Sequence, residues 1–290
     1  MTTQFDRRRH PVRKDLAARA YEGRVEADRF VDGKKKTIVR SVLDFRKDPR
    51  MDQSVDTQGL FGEVVTVFEE ASDGWAWVQL ETDGYVGWVS ADALADPVEP
   101  THRVTALNSF RYSGPDLKLP RVGALSIGSR ISVIGEKTTR DLLYCQLSDH
   151  SYVVARHVAP LSEEGHQDWV AVAEQFLNVP YLWGGRSGAG LDCSALVHLA
   201  LAEGGVQIPR DSDMQEAEVG HRLPLDTPLE SLKRGDLIFW KGHVGIVQGH
   251  NQLLHANGHT MTVASEALDE AVRRIGENEF GAVTAVKRLY

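Results

Sequence analysis

One cysteine and two histidines stand on short, well-marked runs: Cys193 in DCSAL, His243 in GHVGIV and His255 in LLHANG. Thiol chemistry at a carbonyl needs a nucleophile, a base that takes its proton and a third polar group that holds the base. Cys193, His243 and His255 supply one residue for each role. Cys193 follows the glycine-rich stretch Trp183 to Gly190 and opens the apolar run Ala195 to Leu201, which stops at Gly204-Gly205, so the thiol is placed in the first turn of a helix. Backbone N–H groups at a helix N-terminus favour negative charge, and the position is expected to lower the thiol pKa. If GHVGIV and LLHANG form a hairpin, the two imidazoles fall on one face, His243 as base and His255 as the group that orients it.

Cysteine and histidine also bind zinc, but the spacing is wrong for it. Cys193 has no second cysteine nearby and no paired histidine motif accompanies it. His198 falls inside the helix, and His250 and His259 belong to no motif, so they read as packing or surface residues. No metal and no cofactor is expected.

The elements that must position these residues begin with Trp169, Val172, Ala173 and Phe176, spaced as one face of a helix that Pro180 stops. The Cys193 helix follows. After Lys233-Arg234-Gly235 the runs DLIFW, HVGIVQG, QLLHANG and MTVAS are strand-like and joined by short turns, so residues 164–290 read as an α+β domain.

Upstream, two segments repeat one unit about 66 residues apart. Phe45-Arg46, GEVVTVFEE, Gln79-Leu80 and YVGWVSADAL recur as Phe110-Arg111, GSRISVIGE, Gln146-Leu147 and YVVARHVAPL. Short β-branched and aromatic runs with turn signals at Asp73-Gly74 and Asp83-Gly84 predict two small tandem β-barrels, residues 37–98 and 99–163, behind a basic segment 1–36. Cys145 sits in a strand of the second copy and reads as a small buried hydrophobe.

Residues 1–50 hold 15 Lys and Arg against 8 Asp and Glu, whereas the whole chain carries a net charge of −8. The basic head reads as a tether for an anionic polymer or as a segment packed on the chain's own acidic surface. Too few aromatic residues for base stacking favour the second, and no nucleic acid is expected. Two cysteines in different domains make no disulfide framework. The charged N-terminal run has no apolar core for a secretory signal, and no stretch is apolar enough to span a bilayer, so a soluble cytoplasmic protein without membrane contact is expected. Oligomeric state is not legible.

The run PYLWGG, DCSAL, PRDSDMQ, GDLIFW, GHVGIV, LLHANG resembles the NlpC-type family of papain-like bacterial cell-wall cysteine peptidases over about residues 164–290, with Ala195 where the family usually has glycine. Gly74-Trp75 and Gly84-Tyr85-Val86-Gly87-Trp88-Val89 resemble bacterial SH3-like domains; the second copy is divergent. The resemblance implies hydrolysis of the γ-D-glutamyl to diamino-acid bond of a small murein peptide, L-Ala-γ-D-Glu followed by diaminopimelate or lysine, through a thioester. It implies Cys193 as nucleophile, His243 as base, His255 as orienter and Tyr181 as a phenol helping to stabilise the oxyanion. It further implies substrate contacts from Asp192, Ser194, Arg210, Asp211 and Ser212, Asp211 holding the free N-terminal amine. Barrels before such a domain resemble the subgroup that trims free murein peptides during recycling, where the first barrel closes the cleft; Glu63 and Tyr85 are the candidates for that wall. A cysteine amidase or acyltransferase of the same fold and a non-catalytic cell-wall-ligand binding protein remain as alternatives.

Overall fold

The computed structural model describes residues 5–290, so the start of the expected basic segment, residues 1–4, lies outside the described residues. The chain divides into two compact units between Glu163 and Glu164.

In the first unit the alternating run WAWVQL becomes a strand with one face in the core, as period-two patterning requires. Strands β1 (Lys34–Ile38), β2 (Val42–Arg46), β3 (Val55–Leu60), β4 (Val64–Glu70), β5 (Trp75–Leu80) and β6 (Val86–Ser90) form a sheet in the order β3-β2-β6-β5-β4-β1. It closes around Ile38, Phe45, Val65, Ala76, Val78, Leu80 and Val89, all fully buried. Lys34 to Lys36 pair with β4, so the expected boundary between residues 36 and 37 falls inside a strand.

The unit then repeats itself. Strands β7 (His102–Val104), β8 (Asn108–Tyr112), β9 (Arg121–Ser126), β10 (Val133–Thr139), β11 (Leu142–Leu147), β12 (Tyr152–Val154) and β13 (Val158–Pro160) follow, and β8, β9 and β12 each start 66 residues after β2, β3 and β6. Cys145 lies in the second barrel's core with Val104, Leu125, Ile131, Leu147 and Val153. Burial, and next the charge of Glu136, raise its thiol pKa.

The basic head folds onto the first barrel. Leu16 is buried against Trp77, Val86 and Trp88, and the Arg13 guanidinium lies 4.4 and 4.9 Å from the Trp77 and Trp88 ring centroids. Its charge meets carboxylates of the body: Arg13 and Arg29 bind Glu69 at 2.5 and 2.6 Å, and Arg7 binds Asp56 at 2.9 Å. These arginines are committed to the protein's own surface, which is the second of the two readings of the head.

The second unit contains α1 (Trp169–Glu174), α2 (Cys193–Glu203), α3 (Ser212–Glu218), β14 (His221–Leu223), β15 (Leu237–Trp240), β16 (His243–Gly249), β17 (Gln252–Asn257), β18 (Thr262–Ala267), α4 (Leu268–Asn278) and β19 (Ala285–Arg288). Helix α1 stops at Glu174, short of Pro180, and a turn through Asn178 at φ +68° leaves Phe176 in the core. The sheet runs β14-β19-β15-β16-β17-β18. Helix α2 is apolar on all sides because it is buried from Cys193 to Leu201, packed on β16 and β17. Leu268, Ala271 and Ile275 of α4, a helix the sequence reading did not include, share a core with Ile238, Trp240, Val247 and Leu253. Among the described residues no helix is long and apolar enough to cross a membrane.

Candidate active site

Cys193 is the first residue of α2, and the residue before it caps the helix: Asp192 Oδ1 accepts the Ala195 N–H at 2.9 Å. The loop leading in needs glycine. Gly184 sits at φ +71° and donates its N–H to Asp192 Oδ2 at 3.0 Å, and a Cβ on Gly185 would stand 2.7 Å from the Gly190 carbonyl oxygen. Arg210, 1% exposed, lies beneath this loop. It donates to both Asp192 oxygens, to Ser194 Oγ at 2.8 Å and to the Gly185 carbonyl at 3.1 Å. The segment before α3 thus fixes both residues flanking the nucleophile.

The histidines come from a hairpin, as its apolar runs imply. Ile246 pairs with Leu254 and Val247 with Leu253, a register that sets His243 and His255 diagonally, and the turn before His243 has Gly242 at φ +85°. His243 Nε2 lies 2.8 Å from His255 Nδ1. His255 Nε2 in turn lies 2.6 Å from Oε1 of Glu266 on β18, and Arg274 of α4 donates to both Glu266 oxygens at 2.7 and 3.0 Å. Phe280 stacks on the His243 ring, centroids 4.9 Å apart and planes 6° from parallel. Helix α2, which Cys193 opens, packs on β16, which His243 opens.

Electrostatics correct one expectation. The thiol pKa is pushed up to about 12, first by burial and then by the Asp192 charge, although N–H groups of Val244 and Ser194 oppose the shift. The helix start does not lower it, because an enclosed anion loses more hydration than these N–H groups return. Burial, and next the neighbouring His255, push His243 down to about 3. Both shifts favour the uncharged forms, a thiol on α2 and a neutral imidazole on β16. Tyr181, bridged to Leu191, has its phenol pKa raised by burial and then by the charges of Cys193 and Asp192, so its hydroxyl is within reach of the nucleophile's field.

Tyr181, Asp192, Cys193, Ser194, Arg210, His243 and His255 all lie on these connected loops, helix starts and strands. Asp211 and Ser212 open α3 directly after Arg210, and the Asp211 side chain makes no capping bond to that helix. Glu63 and Tyr85 belong to the first unit and are 1% and 3% exposed. The Glu63 carboxylate accepts the Leu60 N–H at 2.7 Å, as Ser129 at the matching turn of the second barrel accepts that of Ser126 at 3.2 Å. Sequence reasoning missed Glu266, Arg274 and Phe280. The signal for Arg274 was present in the amphipathic spacing of Leu268, Ala271 and Ile275; Glu266 needed the strand register. Among the described residues no group of three or more His, Cys, Asp or Glu is placed to hold a metal ion.

Residues 45–94 match the bacterial dipeptidyl-peptidase Sh3 domain, and residues 178–274 match the NlpC/P60 family. A gamma-D-glutamyl-L-lysine dipeptidyl-peptidase of Bacillus subtilis (strain 168) is 30% identical over 242 residues, 76% of this chain and 78% of its own. Dipeptidyl-peptidase 6 of Lysinibacillus sphaericus is 22% identical over 273 residues, 87% of this chain and 98% of its own. The crystal structure of an NlpC/P60 family protein from Bacillus cereus shares the fold, with a TM-score of 0.72 at 22% identity over 88% of this chain and 99% of that one.

Proposed function

The chain belongs to the NlpC/P60 family of peptidases, and from that premise we propose that it is a cysteine peptidase cutting the γ-D-glutamyl to diamino-acid amide of small murein peptides. The observation that carries the reading is the junction of α2 and β16. There a thiol opens a helix that packs on the strand whose first residue, His243, is hydrogen-bonded to His255.

The chemistry follows from the uncharged thiol and imidazole. As the Cys193 sulfur attacks the γ-carbonyl carbon, its proton passes to His243, and the carbonyl electrons collect on oxygen near the Tyr181 hydroxyl. The tetrahedral species collapses to a thioester, and the leaving amine takes the proton back from His243. Water then attacks the thioester with His243 again accepting a proton, which releases the L-Ala-γ-D-Glu dipeptide and restores the thiol. Asp192, Ser194 and Arg210 hold the nucleophile's loop in register, while Asp211 and Ser212 face the peptide.

We further propose that the substrate has a free N-terminal L-Ala, with Asp211 as the candidate for reading its amine on the family resemblance. Incubation with L-Ala-γ-D-Glu-L-Lys and with its N-acetylated form, followed by mass spectrometry, tests both steps. Cleavage of the free peptide alone is expected. Equal cleavage of the two forms removes the amine-reading proposal, and cleavage of neither removes the peptidase substrate.

A further inference from the structure

Behind His255 stands a carboxylate that the three-residue mechanism leaves without a task. Glu266 sits on β18, where His255 pairs with Ala264 and Leu253 with Glu266, so the carboxylate lies diagonally from the imidazole. It reaches His255 Nε2 at 2.6 Å, and Arg274 holds both of its oxygens. Arg274 is anchored in turn on Glu279, just beyond α4.

We infer that Glu266, held by Arg274, is a positioning residue that fixes the tautomers of both histidines and so leaves His243 Nδ1 as the lone pair that takes the thiol proton. The inference rests on the reading of Cys193 and His243 as nucleophile and base. It follows from donor and acceptor counting. An ionised carboxylate only accepts, so His255 Nε2 must carry a proton. A singly protonated His255 then presents a lone pair at Nδ1, and the 2.8 Å contact makes His243 Nε2 the donor. Neutral His243 has one proton, already placed on Nε2, so its Nδ1 is unprotonated. Any other tautomer sets two lone pairs or two N–H groups face to face. The Glu266 carboxyl is held down to about 2, first by the His255 hydrogen bond, so it stays ionised while the peptidase works. When Nδ1 takes the proton from sulfur, no other proton has to move, and the new charge on His243 lies along a chain ending in a carboxylate.

The test uses the full chain with 15N-labelled histidine and the variants Glu266→Gln and Glu266→Leu, with fold checked by near-ultraviolet circular dichroism. Ring 15N spectra are expected to show Nε2–H on both His243 and His255 in the parent protein, and a mixture including Nδ1–H for His255 in Glu266→Leu. Glu266→Gln keeps the tautomer through its amide oxygen but loses the charge, so kcat falls about 10-fold at unchanged KM. Alkylation of Cys193 by iodoacetamide slows in parallel. Should Glu266→Leu not fold, the isosteric glutamine variant carries the kinetic arm. Unchanged ring spectra in a folded Glu266→Leu, or a glutamine variant that loses thermal stability while kcat and Cys193 alkylation stay at parent values, overturns the inference. Failure of the parent to cut the peptide would defeat the substrate reading alone, because the spectra and the alkylation need no substrate.

Discussion

Arg210 places its two terminal nitrogens on the two carboxylate oxygens of Asp192, at 2.9 and 2.8 Å, directly before the nucleophile. A two-pronged pair this deeply buried makes the start of α2 depend on a residue 17 positions beyond Cys193. Arg210→Met leaves the Asp192 charge buried and unpaired, and is expected to cost about 3–5 kcal/mol in urea unfolding. The Asp192→Asn/Arg210→Met double variant should recover part of that loss. A single variant with parent stability and a raised KM would instead make Arg210 a substrate contact.

His255 hands its ring to His243 and takes no proton from substrate. His255→Leu is expected to lower kcat roughly 100-fold with little change in KM, whereas His255→Asn, whose side-chain oxygen can still accept from His243, loses less. Steady-state kinetics on the free peptide decide between this and a binding role, which would raise KM.

Burial pushes the Cys193 thiol up, which favours its protonated form in the free enzyme. Alkylation of Cys193, followed by mass spectrometry of its peptide, is expected to rise with pH through pH 9 without a plateau. A plateau beginning near pH 5 would mean that a thiolate–imidazolium pair already exists at rest.

His243 also ties stability to pH. Its pKa is pushed from 6.5 in the open chain down to about 3, so between those values the unfolded chain binds one proton more than the native state. Stability therefore falls as pH falls across that window, by up to about 1.4 kcal/mol per pH unit from this group. His243→Gln should flatten that dependence in urea titrations at pH 4, 5 and 6, and an unchanged slope would contradict it.

What the sequence disclosed was local. The glycine-rich stretch before Cys193, the apolar run after it and the stop at Gly204 mark α2 because helix ends are specified by neighbouring residues. The 66-residue repeat survives as matched strands because β-patterning is also local. What it withheld depends on register and burial. Glu266 reaches His255 only through the pairing of β17 with β18, and nothing in TVASEA announces it. The thiol's raised pKa comes from enclosure by elements distant in the chain, which outweighs the helix start that alone predicts the opposite. Likewise Arg13 finds Glu69 across 56 positions, so the reading that the head packs on the chain's own acidic surface could name no partner until the barrel placed the two together.

The most direct measurement is acid-quenched mass spectrometry of the enzyme during turnover of L-Ala-γ-D-Glu-L-Lys. The account predicts an L-Ala-γ-D-Glu adduct on the peptide containing Cys193, formed before free dipeptide accumulates and absent in Cys193→Ala, which releases no dipeptide. Full hydrolysis by Cys193→Ala, or an adduct on another residue, would contradict it.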